Sequence, residues 1–473
     1  MPIQFDPANL LADVVGSEHG ISRREIGQSR TAAVQALKSF RGKWESGRYG
    51  FPDLPFQRPL LREAGQFAAG CAGRFDSICL VGIGGSALGA WALDCALRGP
   101  HPVQPCFSRA NPRLVILDNV DPELVSAALD SMNPRRTLAL VITKSGSTAE
   151  TIATFLVVRA WLENSVGRRN LARHVAVVTE PGAGSKRGDL LEMAVRDGYR
   201  VFPIPENVGG RFSVLSAVGL LPAALIGVDI QRLCAGAREM TRPCWLEDPE
   251  NNPALRAALL HRLLLERRGK SIQVAFSYSQ RLWGLAFWFR QLWAESLGKR
   301  AVRDGVETGV GQTPIAALGV TDQHSQVQLY LEGPNDKVVT FWAVRRPKGS
   351  CAGVRIPRAF ADLGSAGYLG GQTLGALLDA ELEATAAALV RHQRPNCCFT
   401  LARLDAHHLG AFVQLLEFQV AFLGELMGID AFNQPGVELG KRLTYALMGR
   451  AGFEPYREEL DRYQQARRRA LGR

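Results

Sequence analysis

"LVGIGGSALGAWALDCAL", Leu80 to Leu97, runs from an apolar stretch through clustered glycines into an apolar-periodic segment. Gly82, Gly84 and Ala87 spell G-x-G-x-x-A, a pattern in which a strand, a tight turn and a helix N-terminus offer backbone N–H groups to a phosphate. A dinucleotide site also wants an acid about 20 residues on, closing the second strand. The acid nearest that distance, Asp94, falls inside the helical period, and the next strand-like run, "RLVILD", arrives too late. The stretch therefore predicts a strand–turn–helix unit and disfavours a dinucleotide, but by itself it does not decide what the glycine turn holds.

Strand-like runs recur around it: "SICLVGI", "RLVILD", "TLALVIT", "HVAVVT" and "RVFPI". Each is a continuous β-branched run, as expected of strands buried on both faces of a parallel sheet. Helical periods between them predict a doubly wound α/β sheet. A second series, "SIQVAFSY", "VQLYLEG", "DKVVTFWAV" and "NCCFTLARL", follows the connection "EDPENNPALRAALL" and predicts a second α/β domain. A chain of 473 residues is too long for one ordinary core. The expected divisions are a helical N-terminal extension over 1–60, a first α/β domain over 61–245, a second over 246–435, and a C-terminal helical segment over 436–473.

The 46% hydrophobic and 21% charged content is that of a folded, soluble protein. "MPIQFDPANL" has neither the basic region nor the apolar core of a signal peptide. "VLSAVGLLPAALIGV" is broken by Gly219 and Pro222, which predicts a buried helix rather than a membrane span. Nine cysteines without a C-x-x-C pair suit a reduced, cytoplasmic protein, with Cys397 and Cys398 on opposite faces of one strand. Part of the +11 net charge lies in the tail "RYQQARRRALGR", read as a solvated C-terminal helix rather than a nucleic-acid arm. A basic balance also suits capture of anionic metabolites. The eight histidines show no metal-ligand spacing, so no metal is expected.

"LALVITKSGSTAETIATFL" is a second strand–turn–helix, with Thr143, Ser145, Ser147 and Thr148 in the turn. Capping explains one or two of these hydroxyls but not all, and a phosphate monoester fits the remainder. In "PENVGGRFSVLSAVG", Arg211 follows two glycines, where it either meets a ligand or clamps a loop. "RQLWAESLGKR" places Glu295 on a tryptophan-rich helix, as a sheltered base or an ordinary helical Glu. His324 precedes the strand-like run "VQLYLEG", and a lone His is more often structural. "DAFNQPGVELGKRLTYAL" carries Gln434, Glu438 and Lys441 on a Gly-Pro turn and helix.

Taken together, the chain resembles the glucose-6-phosphate isomerase (phosphoglucose isomerase) family from about Gly82 to its final helix. "ENVGGRFSVLSAVG" and "GELMGIDAFNQPGVELGK" match the family's two signature patterns, with "GIGGS", "TKSGSTAET", "ESLGK" and "DQHS" in the family's order. The resemblance implies two sugar-isomerase (SIS) domains, each an αβα sandwich with a mainly parallel sheet, working as a homodimer without cofactor. It implies a phosphate pocket of Gly85, Ser86, Thr143, Lys144, Ser145, Ser147 and Thr148. Glu295 falls on the base that moves a proton between C1 and C2 through a cis-enediol. Arg211 falls on the group that stabilises the enediolate, and His324 and Lys441 on those that open the ring. His324 would come from the partner subunit, and Gln434 would touch substrate. Two rivals to glucose 6-phosphate isomerisation stand beside this reading. One is a SIS isomerase of a mannose or pentose phosphate, which the paired signatures disfavour. The other is a non-enzymatic sugar-phosphate sensor, which would not need Glu295. Neither membrane nor nucleic-acid partners are expected.

Overall fold

The computed structural model describes residues 2–99, 111–182, 188–303, 306–345 and 353–472. The N-terminal region is helical over much of its length. Its long helix, Arg23–Glu45, starts at a capping box in which Ser22 and Glu25 exchange hydrogen bonds. It opens, however, on a strand, β1 (Ile3–Asp6), which corrects the expectation of an all-helical extension. Four residues show too little alternation to be read as a strand; tertiary pairing makes this one.

The first sheet contains β2 (Ser77–Val81), β3 (Arg113–Leu117), β4 (Thr137–Ile142), β5 (Val175–Thr179) and β6 (Arg200–Pro203). These are the five strands expected from the sequence. All pair parallel, in the order β3-β2-β4-β5-β6. Cys79, Val81, Ala139, Val141 and Val177 pack in one core with Phe155, Val158 and Leu190 of the flanking helices. Ile78, Leu80, Leu138 and Leu140, on the opposite face, are buried too. Burial on both faces explains why these runs are continuously apolar. The chain winds one way from β2 to β3 and the other way from β4 onward. The switch point therefore lies between the carboxyl ends of β2 and β4, where open α/β sheets bind ligands.

Beyond a hairpin of β8 (Lys299–Arg303) and β9 (Val306–Val310), the second half builds another sheet. Its strands are β7 (Ile272–Ser277), β10 (Thr313–Leu318), β11 (Lys337–Val344) and β12 (Asn396–Leu401). The order is β1-β12-β11-β7-β10, with β1 antiparallel at the edge and the other pairs parallel. Two expectations are corrected here. "VQLYLEG" is the helix Val327–Glu332, whose Val327, Tyr330 and Leu331 meet the core at helical spacing. The missing strand is β10, "TPIAAL", whose small alanines concealed it. His324 thus precedes a helix and follows β10.

The run around Val218 forms the buried helix Ala217–Leu225, as expected, with Pro222 inside it. The helix Ala406–Leu426 is long and apolar enough to cross a membrane, but 94% of its apolar window is buried inside the protein. Residues Met1–Ala431 form one compact unit and Phe432–Arg473 a second. The second unit carries the helices Glu438–Leu447 and Glu454–Ala470, the latter with no buried residue and with Arg467, Arg468 and Arg469 in its last turn.

Candidate active site

Two turns flank the switch point of the first sheet, because β2 and β4 are paired neighbours, Val81 opposite Val141. After β2 the chain forms the short turn Gly84–Ser86 and enters the helix Leu88–Leu97. Gly85 is required there. A Cβ on it would lie 2.4 Å from the Gly210 carbonyl carbon and 2.8 Å from Arg211 N. The first glycine turn therefore rests backbone to backbone on the turn Gly210–Phe212. Asp94, on the following helix, is paired with Arg98 at 3.1 Å.

After β4, Gly146 adopts a left-handed φ of 67° and lets the hydroxyl turn curl over Gly188. Thr148 is the N-cap of the helix Ala149–Val166, yet its side chain makes no capping bond. Instead its Oγ1 lies 2.8 Å from Thr143 Oγ1 and 3.5 Å from Ser145 Oγ. Ser147 Oγ donates to Ser145 Oγ at 3.4 Å. The hydroxyls thus face one another at an uncapped N-terminus, an arrangement that suits an anion better than capping does. Lys144 turns another way: its Nζ meets Glu180 at 3.0 Å and donates to the Glu206 carbonyl at 2.8 Å.

Arg211 follows the last strand of the first sheet. Its side chain is 2% exposed, and its planar fork is shared among several acceptors. Nε donates to Ser296 Oγ at 2.7 Å, one terminal nitrogen to the Ala431 carbonyl at 2.6 Å, and the other to Glu295 Oε2 at 3.1 Å. Burial pulls the guanidinium below its ordinary pKa, and Glu295 opposes that shift. Glu295 lies in the last turn of the helix Trp283–Leu297, which follows β7 of the second sheet. That helix packs against Leu88–Leu97, with Gly284 admitting a close approach to Ala92 and Cys95. This contact carries the carboxylate from one sheet to the arginine of the other.

Sequence reasoning missed three supporting side chains. Gln291, one turn before Glu295, donates to Glu295 Oε1 at 3.0 Å, and its Nε2 would lie 2.9 Å from a Cβ on Gly84. Its i,i+4 spacing from the candidate base was the available signal. Ser296 fixes Arg211, for which no local signal exists. Lys299 Nζ donates to the Glu295 carbonyl, and burial, aided by Arg211, pulls its pKa down to about 8 against the pull of Asp430 and Glu295.

His324 is exposed, and its imidazole makes no hydrogen bond among the described residues. Gln434 begins the turn Pro435–Val437, and Lys441 Nζ donates to Glu438 Oε1 at 2.9 Å; both belong to the second compact unit. Among the described residues, no group of three His, Cys, Asp or Glu side chains could hold a metal ion.

Fold and site together define an α/β protein with two glycine- and hydroxyl-bearing turns at a strand switch point and a buried guanidinium paired with a part-exposed carboxylate. The phosphoglucose isomerase family model matches residues 61–454. A glucose-6-phosphate isomerase from Carboxydothermus hydrogenoformans is 42% identical over 97% of both chains. One from Rubrobacter xylanophilus is 43% identical over 95% of this chain and 99% of its own. A solved Thermus thermophilus structure, described as a hypothetical protein, superposes with a TM-score of 0.81 at 38% identity, covering 94% of this chain and all of that one. The fold is also that of a glucose-6-phosphate isomerase from Chlamydia trachomatis, with a TM-score of 0.78 at 22% identity over 95% and 90% of the two chains. The chain belongs to the phosphoglucose isomerase family.

Proposed function

We infer that the protein interconverts D-glucose 6-phosphate and D-fructose 6-phosphate. The observation that carries this reading, given the family, is the Arg211–Glu295 pair: a carboxylate open to a ligand beside a fixed guanidinium. The phosphate docks at the switch point, on Ser86 and the hydroxyls of Thr143, Ser145, Ser147 and Thr148. Gly85 supplies a backbone contact in that turn, a role that rests on the family's motif. Lys144, paired with Glu180, adds positive charge at the turn's edge. His324 and Lys441 open the ring by proton transfer, and Gln434 holds the substrate, roles that rest on the family's motifs.

Glu295 then removes the C2 proton of the open aldose. The electron pair forms the C1–C2 double bond as the C1 carbonyl π pair moves onto O1, which is protonated to give a cis-enediol. O2 then gives up its proton, the C2–O double bond forms, and the C1–C2 pair takes the proton back from Glu295 at C1 to give the ketose. Arg211 is preorganised opposite the oxygen on which negative charge develops, a stabilisation that needs no reorganisation during reaction. The chain works as a homodimer in which His324 completes the partner's site, a reading supported by its exposed, unengaged imidazole. A cytoplasmic location fits cysteines that are free and, Cys398 apart, buried among those described.

A coupled assay of purified protein tests the assignment directly. Isomerisation of glucose 6-phosphate to fructose 6-phosphate is expected. Activity confined to a mannose or pentose phosphate, or none at all, would replace it.

A further inference from the structure

We propose that the cleft between the helices Arg58–Cys71 and Ile230–Cys244 is a second anion site, which takes a small polyvalent phosphoryl compound. The cleft encloses about 380 Å³ and is lined by Phe56, Arg58, Leu61, Arg62, Gln231 and Arg238. Three arginines line it, and no carboxylate does. Arg58 and Arg62 stand one helical turn apart, where like charges repel, and neither has an ion pair among the described residues. Arg238 donates to the Pro55 carbonyl at 2.7 Å and likewise has no acidic partner among them.

Nearby arginines are treated differently. Arg200 meets Glu63 at 2.5 Å and Arg232 meets Asp405 at 3.7 Å. The helix Arg58–Cys71 adds to the positive field, since its first turn holds no acid and Gln57 provides no side-chain cap. Arg58 and Arg62 are exposed and have no counter-charge among the described residues, so an anion can reach them, and the arginine fork matches phosphoryl oxygens. A volume near the lower end of ligand pockets selects a small molecule over a macromolecular surface. None of the lining residues belongs to the catalytic crevice, so this site is independent of the isomerase reading.

Inorganic pyrophosphate is the probe, titrated calorimetrically at low ionic strength into a chain carrying Ser147→Ala and Thr148→Ala, which weakens the catalytic phosphate turn. One pyrophosphate per chain is expected to bind, and more weakly as salt is raised. Adding Arg58→Gln and Arg62→Gln to that chain should weaken binding at least tenfold. Gln231→Glu, made separately, places a carboxylate among the arginines and should weaken it comparably. Absence of binding in the parent chain overturns the proposal. So does unchanged affinity in either cleft variant.

Discussion

Arg211 donates to Glu295 Oε2 at 3.1 Å, yet the two side chains differ sharply in exposure, 2% for the arginine and 34% for the glutamate. The cation is locked by Ser296 and the Ala431 carbonyl, while the carboxylate keeps a face open to a ligand. If Glu295 is the base and Arg211 the stabiliser, as proposed, this is the division of labour proton transfer requires.

Glu295→Gln should therefore abolish turnover with little change in KM. The amide keeps the space and can still accept from Arg211, but it takes no proton. A loss of ~10²–10⁴ in kcat is expected. In the wild type, deuterium at C2 of the substrate should wash partly into water. Full activity in the variant would place the base elsewhere.

Gly85→Ala tests the contact between the two turns. Its methyl would press on the Gly210 carbonyl and Arg211 N, which are backbone and cannot swing aside. Overpacking of this kind costs about 1–3 kcal/mol, and it should lower kcat by displacing Arg211. Gly65→Ala is the control: it lies in the helix Arg58–Cys71 with nothing within 4 Å of the added Cβ. It should be neutral or slightly stabilising in chemical denaturation.

Ser147→Ala with Thr148→Ala should raise KM strongly, since hydrogen bonds to a charged phosphate contribute ~1.5–3 kcal/mol each. Inorganic phosphate should stop competing with substrate. Unchanged KM and unchanged inhibition would reduce the turn to a helix start.

Lys299 should set an alkaline limit. Its pKa, drawn down to about 8 chiefly by burial, leaves it charged below that pH and neutral above it. Activity should fall as pH rises through about 8, and in Lys299→Arg the falling limb should move upward, because a guanidinium keeps its proton. Stability moves the other way. Between about 8 and the ordinary value of 10.5, the unfolded chain binds more protons at this residue, so its contribution to stability rises with pH. A kcat profile identical in wild type and Lys299→Arg would remove Lys299 from the site.

Complementation tests the shared site. In a mixed dimer of a Glu295→Gln chain and a His324→Ala chain, one site collects both defects and the other neither. Refolding the two inactive proteins together at equal ratio should restore roughly a quarter of wild-type activity, given random pairing in a two-fold dimer. No recovery would mean that His324 serves its own chain.

Much of this protein was determined locally and is legible in the sequence. β2, β4 and β5 of the first sheet are continuous apolar runs because both of their faces are covered, and the two turns at its switch point advertise themselves by glycines and hydroxyls within a few residues of a strand end. Tertiary structure decided the rest. "IQFD" becomes β1 because β12 offers an edge, and "TPIAAL" becomes β10 because β7 pairs with it. "VQLYLEG" is helical because Tyr330 and Leu331 reach the core at three- and four-residue spacing. Arg211 and Glu295, separated by 84 residues, meet because Gly85 admits one turn and Gly284 admits one helix. Periodicity and turn chemistry act over a few residues and are written in the chain, whereas close approach between distant segments depends on the shape of both partners, which folding alone brings together.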